Sequence, residues 1–416
     1  MKIRRLFFFS GSFPFWVGEQ FVDDEMRELC TSFDEVIVIC ISDPGFKDKA
    51  KRDFPKIKSH YVEINLNKFE KLLSLRYLFF KDVIREVWRL LLNKKYKNKL
   101  LISRIIFLDY AKARKIYFEA KKIVNLYVSD KDEKNLFYSY WHDIRAIGMI
   151  MFKKQFSKSK FIARAHRWDI YFEENTPQYL TFKNKLFQDL NATILISEDA
   201  STYIKSKFPN NEKIITVQKL GKNNNRKPSF KKINFQEIMI CSCSTLTEVK
   251  CVDKIITTLA LIGKKNIKWV HFGDGPLMKR LKERATSELQ NISFEFMGNR
   301  ENSEILDFYN NNHIDLFINL SSSEGIPVSI MEAFSSGIPV LATNVGGVKE
   351  IINNKNGYLI DKDLECQKIS SIIENHLNLN SEKSSLMRKN AYEYWRINYN
   401  ASNNYKRFSN YIHENH

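Results

Sequence analysis

Two glutamates, Glu324 and Glu332, stand eight residues apart around a Gly-Ile-Pro in SSSEGIPVSIMEAFSSGIPVLATNVGG, Ser321 to Gly347. Proline fits the first turn of a helix, where its missing N–H has no partner to lose. A helix is therefore expected from Pro327 through Val328, Ile330, Met331 and Ala333 to Ser336, ended by Gly337 and Pro339. A helix N-terminus attracts anions. Glu324 just before that end and Glu332 about one and a half turns inside it suit a ligand carrying both phosphate and hydroxyls, as a sugar nucleotide does.

The elements that must hold this stretch are legible around it. A buried-strand pattern, IDLFINLS, precedes it and another, IPVLAT, follows, and ligands of open α/β sheets bind at the carboxyl ends of strands. Similar short apolar runs recur along the chain: RRLFFFS, EVIVICIS, NLFYSYW, KFIARAH, ATILISE and KIITVQKLG, then EIMICSCS, IKWVHFG, ISFEFMG and GYLI. Helical stretches separate them. Between the two sets lies GKNNNRKPSFKKINF, residues 221–235, which is polar, basic and reads as a linker. Alternating strands and helices on both sides of it predict two α/β domains with parallel sheets, 1–222 and 236–392. The tail 393–416 reads as helix packing back toward the first domain.

Composition bounds the rest. The chain has 416 residues, enough for two cores, and a formal charge of +18. Between Leu66 and Asn125 stand 16 Lys/Arg against 5 Asp/Glu, a net of +11, on a stretch rich in Leu, Ile, Phe and Tyr at helical spacing. This helical insertion, about 66–125, suits an anionic surface, here the membrane, or a solvated basic face. Basic charge alone argues weakly for nucleic acid, and no recognised RNA or DNA module is present. The six cysteines form no CxxC pair and read as reduced thiols in a cytosolic protein. The opening KIRRLFFFSGSFPFW reads as a first strand, since Ser, Gly and Pro break its apolar run and GEQFVDDE follows at once.

With these motifs in place, a resemblance emerges. SEGIPVSIMEAFSSGIPVLATNVGGVKEII resembles the E-x7-E motif of glycosyltransferase family 4, the retaining GT-B enzymes. CSCSTLTEVKCVDKIITTLALI resembles the opening of their C-terminal domain, and WVHFGDGPLMKRL their GDG turn. FPFWVGEQFVDDEM, YSYW and ARAHRWDIYFEE resemble a bacterial branch that builds lipopolysaccharide, capsule and exopolysaccharide. The resemblance implies two Rossmann-like domains facing a central cleft and transfer of a sugar from a nucleoside diphosphate donor to a hydroxyl of a glycan or lipid-linked acceptor. By the same resemblance Glu332 holds the ribose, since one carboxylate accepts two hydroxyl bonds. Glu324 contacts the donor sugar or its phosphate side. Gly325 lets the backbone approach, and the amides of Ile326, Pro327's neighbour Val328 and Ser329 face sugar or phosphate oxygens.

Lys250 matches the lysine that pairs with the pyrophosphate, where charge builds as the glycosidic bond breaks. The family's usual arginine five residues earlier is replaced by Thr245, and Arg300 is a candidate substitute. His166 in RAHRWD matches the active-site histidine, which by the resemblance contacts the donor sugar, and Asp169 is close enough to orient a local network. Gly11, Gly18 and Glu19 follow the first strand, where the family approaches phosphate and acceptor. No cofactor and no metal are expected; a UDP- or GDP-sugar is the co-substrate. The DKD at Asp130–Asp132 mimics a DxD metal motif but reads as a polar turn, and FGDGP as a strand-to-helix turn. The expected partners are the nucleotide sugar, the acceptor and an anionic membrane surface, with no nucleic acid, and the expected place is the cytoplasm, peripheral on the inner membrane face. The alternatives are another GT-B enzyme, a sugar-nucleotide epimerase or phosphorylase, or a basic nucleic-acid binder.

Overall fold

The first strand shows how the chain builds its layers. In Arg5–Ser10 successive side chains point to opposite sheet faces, and every residue is buried. Phe7 and Phe9 enter one core and Leu6 and Phe8 another. A strand apolar on both sides belongs at the centre of a parallel sheet covered by helices on both faces. The computed structural model describes residues 5–15, 18–46, 51–54, 56–130, 134–228, 230, 237–264 and 266–415, and they fall into two compact units.

Unit 1 holds Met1–Gln218 and Tyr405–His416. Its strands are β1 (Arg5–Ser10), β2 (Glu35–Ser42), β3 (Ile57–Glu63), β4 (Asn135–Ser139), β5 (Lys160–Ala165), β6 (Ala192–Leu195) and β7 (Ile215–Val217). They pair parallel in the order β3-β2-β1-β4-β5-β6-β7, with Phe7 opposite Ile37 on one side and Phe137 on the other. The helices are α1 (Val22–Ser32), α2 (Lys68–Leu73), α3 (Lys81–Leu92), α4 (Lys99–Tyr127), α5 (Ile144–Ile150), α6 (Arg167–Ile170), α7 (Lys183–Asp189) and α8 (Glu198–Lys207). The basic segment thus folds as α2, a 3-10 turn at Ser74–Phe79, α3 and α4. A stripe of α4, from Ile102 and Ile106 through Ile116 to Val124, is buried in the core under Phe7 and Phe137.

Unit 2 holds Lys219–Asn404. Its strands are β8 (Ile238–Cys243), β9 (Ile267–Phe272), β10 (Ile292–Phe296), β11 (Leu316–Asn319), β12 (Val340–Thr343) and β13 (Gly357–Ile360), in the parallel order β10-β9-β8-β11-β12-β13. The helices are α9 (Val252–Ala260), α10 (Met278–Glu288), α11 (Asn302–Asn311), α12 (Val328–Ser335), α13 (Cys366–Leu377) and α14 (Ser381–Asn398). Helix α15 (Ala401–Glu414) starts among the residues of unit 2 and ends among those of unit 1, where Phe408 and Ile412 join the core beneath Leu6 and Phe8.

Two expectations shift in detail. Pro327 is the N-cap of α12 rather than its first helical residue, with ψ 123°, and the helix closes at Ser335. Gly337 follows at φ +67°, the left-handed turn glycine takes readily. Strand β3, IKSHYVE, has no counterpart among the expected strands. The linker read at 221–235 lies partly outside the described residues, as do Lys131 and Asp132 of the DKD stretch; Asp130 is exposed.

The faces of the unit 1 sheet are pinned by a buried charge. Arg164 of β5 lies 3.1 Å from Glu25 of α1, both without solvent exposure. Tyr138 of β4 donates to the same carboxylate oxygen at 2.6 Å and accepts from Arg164 at 2.7 Å. The guanidinium also donates to the Gln218 carbonyl and lies 4.7 Å from the Phe408 ring centre. Burial raises the pKa of Glu25 while Arg164 opposes it. Removing one partner of such a pair costs far more than replacing both. Arg164→Met should therefore destabilise the protein by about 3–5 kcal/mol, and Arg164→Met with Glu25→Leu should recover most of that loss. Chemical denaturation of the single and double variants checks this; an Arg164→Met protein as stable as the parent would contradict it.

Candidate functional site

In an open parallel sheet the crevice opens where successive connections leave in opposite directions. In unit 2 this point lies between β8 and β11, since β9 and β10 extend to one side and β12 and β13 to the other. The loops leaving these two strands carry Lys250 and Glu324. The structure brings them together: Lys250 Nζ donates to Glu324 Oε1 at 2.7 Å, with the carboxylate nearly buried and the lysine a quarter exposed.

The loops that present this pair are fixed by short-range chemistry. Val249 O accepts both the amide of Ser322, at 2.9 Å, and its hydroxyl, at 3.2 Å. Asn319, the last residue of β11, donates to Glu324 Oε1 at 3.3 Å and accepts the Ser321 amide at 3.1 Å. Gly347 donates to Gly325 O at 2.9 Å, and a Cβ there would stand 2.7 Å from Ile326 Cγ1 and 2.8 Å from that same carbonyl. The GDG turn backs the Lys250 loop: a Cβ on Gly273 would lie 2.0 Å from Ser244 O, and one on Gly275 2.5 Å from Leu246 O. Gly273 has φ +126°, so only glycine fits. FGDGP is thus a strand-to-helix turn with a supporting task.

Glu332 lies on the buried side of α12, where Asn302, the first residue of α11, donates to its Oε1. Cys243, at the end of β8, feels both ends of the site. Burial raises its thiol pKa most, Glu332 adds to the rise and Lys250 lowers it. Ile326 and Pro327 are buried, while Gly325 and Val328 are half-buried beside the helix N-terminus. The first amides of a helix have no intrahelical acceptor, so this end presents donors. Thr245 is exposed on the β8 loop. Arg300 is 44% exposed; its Nε donates to Met297 O at 3.2 Å and its Nη1 lies 3.8 Å from Glu304, so it currently braces its own loop.

Unit 1 carries its own cluster at the equivalent switch between β1 and β4. Glu19, at φ +58°, accepts from the amides of Gly11 at 3.0 Å, Ser12 at 2.8 Å and Phe13 at 2.6 Å, and from Trp141 Nε1 at 2.5 Å. A side chain that could have met a ligand is here the brace of the β1 loop. Gly18 enters only through its carbonyl, which accepts from Arg52 at 2.9 Å. The ring of His166 lies between Trp141 and Tyr140, with centroids 4.6 and 4.8 Å away. Both its ring nitrogens are buried without a hydrogen-bond partner among the described residues. Burial first, then Arg164, holds its pKa well below the usual histidine range, so the imidazole is neutral. Buried polar atoms are almost always paired, so the two ring nitrogens are an exception to that rule.

Asp169 positions this histidine. Its two oxygens accept the backbone amides of His166 at 2.6 Å and His142 at 2.7 Å. Lys183 is buried nearby with its ammonium on the His142 carbonyl. Burial raises the Asp169 carboxyl and lowers the Lys183 ammonium, and each charge eases the other. Asp169, Trp168, Asp143, Arg145, Asp109 and Lys183 line a cavity of about 370 Å³ beyond the carboxyl ends of β3, β4 and β5. Burial pushes Asp109 up to about 6 against a 2.8 Å hydrogen bond from Thr181. The carboxylates, the guanidinium and the Trp168 ring line this cavity with polar groups beside a flat apolar face.

Sequence reasoning had not singled out Asn302, Asn319, Trp141 or Lys183. Asn302 and Asn319 each sit at an element end, where an asparagine reads as a plain cap, so residue type and place alone do not mark them.

Comparison with known proteins bears on both units. Residues 223–394 match the family model described as glycosyl transferases group 1. The O-antigen biosynthesis glycosyltransferase WbnH of Escherichia coli is 36% identical over 121 residues, 28% of this chain and 33% of that protein, so the chain spans about a third of its length. An uncharacterised glycosyltransferase of Methanocaldococcus jannaschii is 26% identical over 312 residues, 69% of this chain and 73% of the relative. The crystal structure of Anabaena HepE in complex with UDP superposes with a TM-score of 0.64 at 14% identity, covering 99% of this chain and 100% of that one. The chain has the two-unit, Rossmann-like GT-B fold, and its second unit carries the glycosyl transferases group 1 match.

Proposed function

We propose that the protein is a glycosyltransferase that moves a sugar from a nucleoside diphosphate sugar to a hydroxyl of a glycan or lipid-linked acceptor, with retention at the anomeric carbon. The observation that carries the reading is the Lys250–Glu324 pair at the switch point of the unit 2 sheet, beside the N-terminus of α12 and the inward-facing Glu332. Diphosphate would take Lys250 from Glu324. The leaving group gains negative charge as the glycosidic bond breaks, and a fixed ammonium and helix amides aimed at it favour that state over the ground state. Glu332 would leave Asn302 for the ribose diol. Glu324, freed from the lysine, would accept a hydroxyl of the donor sugar. Thr245 and Arg300 are the candidates for a second phosphate contact.

From unit 1, the neutral His166 would offer a ring nitrogen to a hydroxyl of the donor sugar, and Asp169 keeps its backbone in place. The cavity at Trp168 suits the acceptor sugar. No nucleophile is required of the protein: in a front-face displacement the leaving phosphate takes the proton of the attacking hydroxyl. The base is uracil or guanine on this reading. The O-antigen biosynthesis glycosyltransferase among the relatives supports a role in cell-surface polysaccharide synthesis.

Glu332→Gln should weaken binding of UDP or GDP, whichever the protein prefers, by about 1.5–3 kcal/mol, because a charged acceptor of two hydroxyls is lost. Calorimetry on the folded variant measures it, and unchanged affinity would remove Glu332 from the site. Nucleoside diphosphate release should require a glycan acceptor and should survive chelation, since Lys250 and α12 supply the positive charge. Release lost in EDTA and restored by Mn²⁺ or Mg²⁺ would contradict that division of labour.

A further inference from the structure

Large apolar side chains standing singly on a surface are ordinary, whereas a contiguous exposed patch marks an interaction site. Among the described residues, thirteen of the twenty exposed large apolar side chains fall between Phe69 and Leu101, in α2, the 3-10 turn, α3 and the first turn of α4. Phe79 is 83% exposed, Leu92 74% and Leu100 86%. The pattern is helical. Val83, Glu86 and Leu90 turn the inner face of α3 to the core, while Ile84, Trp88 and Leu91 form the outer stripe at i, i+4, i+7.

Charge frames the patch. From Leu66 to Leu101 the sequence has ten Lys/Arg and three Asp/Glu. All three acids are engaged by the protein itself: Glu70 with Lys115, Asp82 with Lys185, and Glu86 with the Tyr179 hydroxyl and the Phe182 amide. Lys81, Arg85 and Arg89 flank the apolar stripe of α3. What faces outward is therefore apolar side chains among long cations, whose stems can lie along apolar surface while the charges stay wet. Among the described residues no helix is long and apolar enough to cross a membrane.

We infer that the surface formed by α2, the 3-10 turn, α3 and the start of α4 docks on an anionic lipid bilayer, with Phe79, Trp88, Leu92 and Leu100 entering the headgroup region and the flanking cations holding anionic lipid. A second copy of the chain fits less well, because pairing would set like charges against each other. The rest of α4 takes no part, since its apolar stripe is core. The surface stands on its own geometry; only its consequence, an acceptor presented on a lipid, rests on the glycosyltransferase reading.

The test is co-sedimentation of the full chain with vesicles of phosphatidylcholine alone or mixed with phosphatidylglycerol, over a salt series. Binding should require phosphatidylglycerol and weaken as salt shortens the Debye length from roughly 8 Å toward 3 Å. A triple variant, Phe79→Ser, Leu92→Ser and Leu100→Ser, and a second, Lys94→Glu, Lys95→Glu and Lys97→Glu, should each lower binding about tenfold or more, with thermal midpoint and UDP or GDP affinity unchanged. Equal binding to both vesicle types, or binding that the serine variant leaves intact, would overturn the inference. So would loss of self-association in the serine variant, which would make the patch a dimer interface. Failed vesicle binding with intact nucleotide binding would sink this inference and leave the glycosyltransferase reading standing; the converse would sink only that reading.

Discussion

A lysine held 2.7 Å from a nearly buried glutamate, at the ends of two adjacent parallel strands, is the interaction around which unit 2 is arranged. Such a pair gains little for stability where it is partly wet. Its value lies in placement. On the proposed reading the ammonium meets a diphosphate, and Glu324 would be the anchor that holds it before the ligand arrives. The Val249–Ser322 hydrogen bonds, the Asn319 amide, the glycines that admit Ser244 and Leu246, and the close approach of Gly347 all fix the two loops relative to each other. A protein that places charge in advance avoids reorganising during the reaction.

Unit 1 follows the same logic with a different currency of contacts. Its switch-point loops are held by carboxylates that accept backbone amides: Glu19 braces the turn after β1, and Asp169 braces the turns after β4 and β5. Among the described residues the ring nitrogens of His166 lack a hydrogen-bond partner, as does the hydroxyl of the neighbouring Tyr140, and burial keeps the imidazole neutral. Beneath it the Arg164–Glu25–Tyr138 network ties α1, β4 and β5 together, and Phe408 of α15 lies against the guanidinium.

Much of this was legible in the sequence because core strands of parallel sheets are apolar on both faces. EVIVICIS, RLFFFS and IKWVHF announce themselves that way. β3 escaped notice because it is an edge strand: in IKSHYVE lysine, serine, histidine and glutamate interrupt the apolar residues, and only Val62 is buried. The residues proposed for the donor side stand out as a dense run of Gly, Pro and Glu at fixed spacing. Asn302 and Asn319 were not, since an asparagine at an element end is the commonest of caps and its second task appears only in three dimensions. Glu19 was marked as a ligand residue by its loop, and only the geometry reveals the four protein donors already on its carboxylate.

The central claim is that Lys250 exists to meet a diphosphate. Its most direct measurement is calorimetric: the affinities of the nucleoside diphosphate and of the nucleoside alone, in the parent protein and in Lys250→Ala. The account predicts that the parent strongly prefers the diphosphate and that Lys250→Ala loses most of that preference while still binding the nucleoside. A preference for the diphosphate left intact in Lys250→Ala would contradict it.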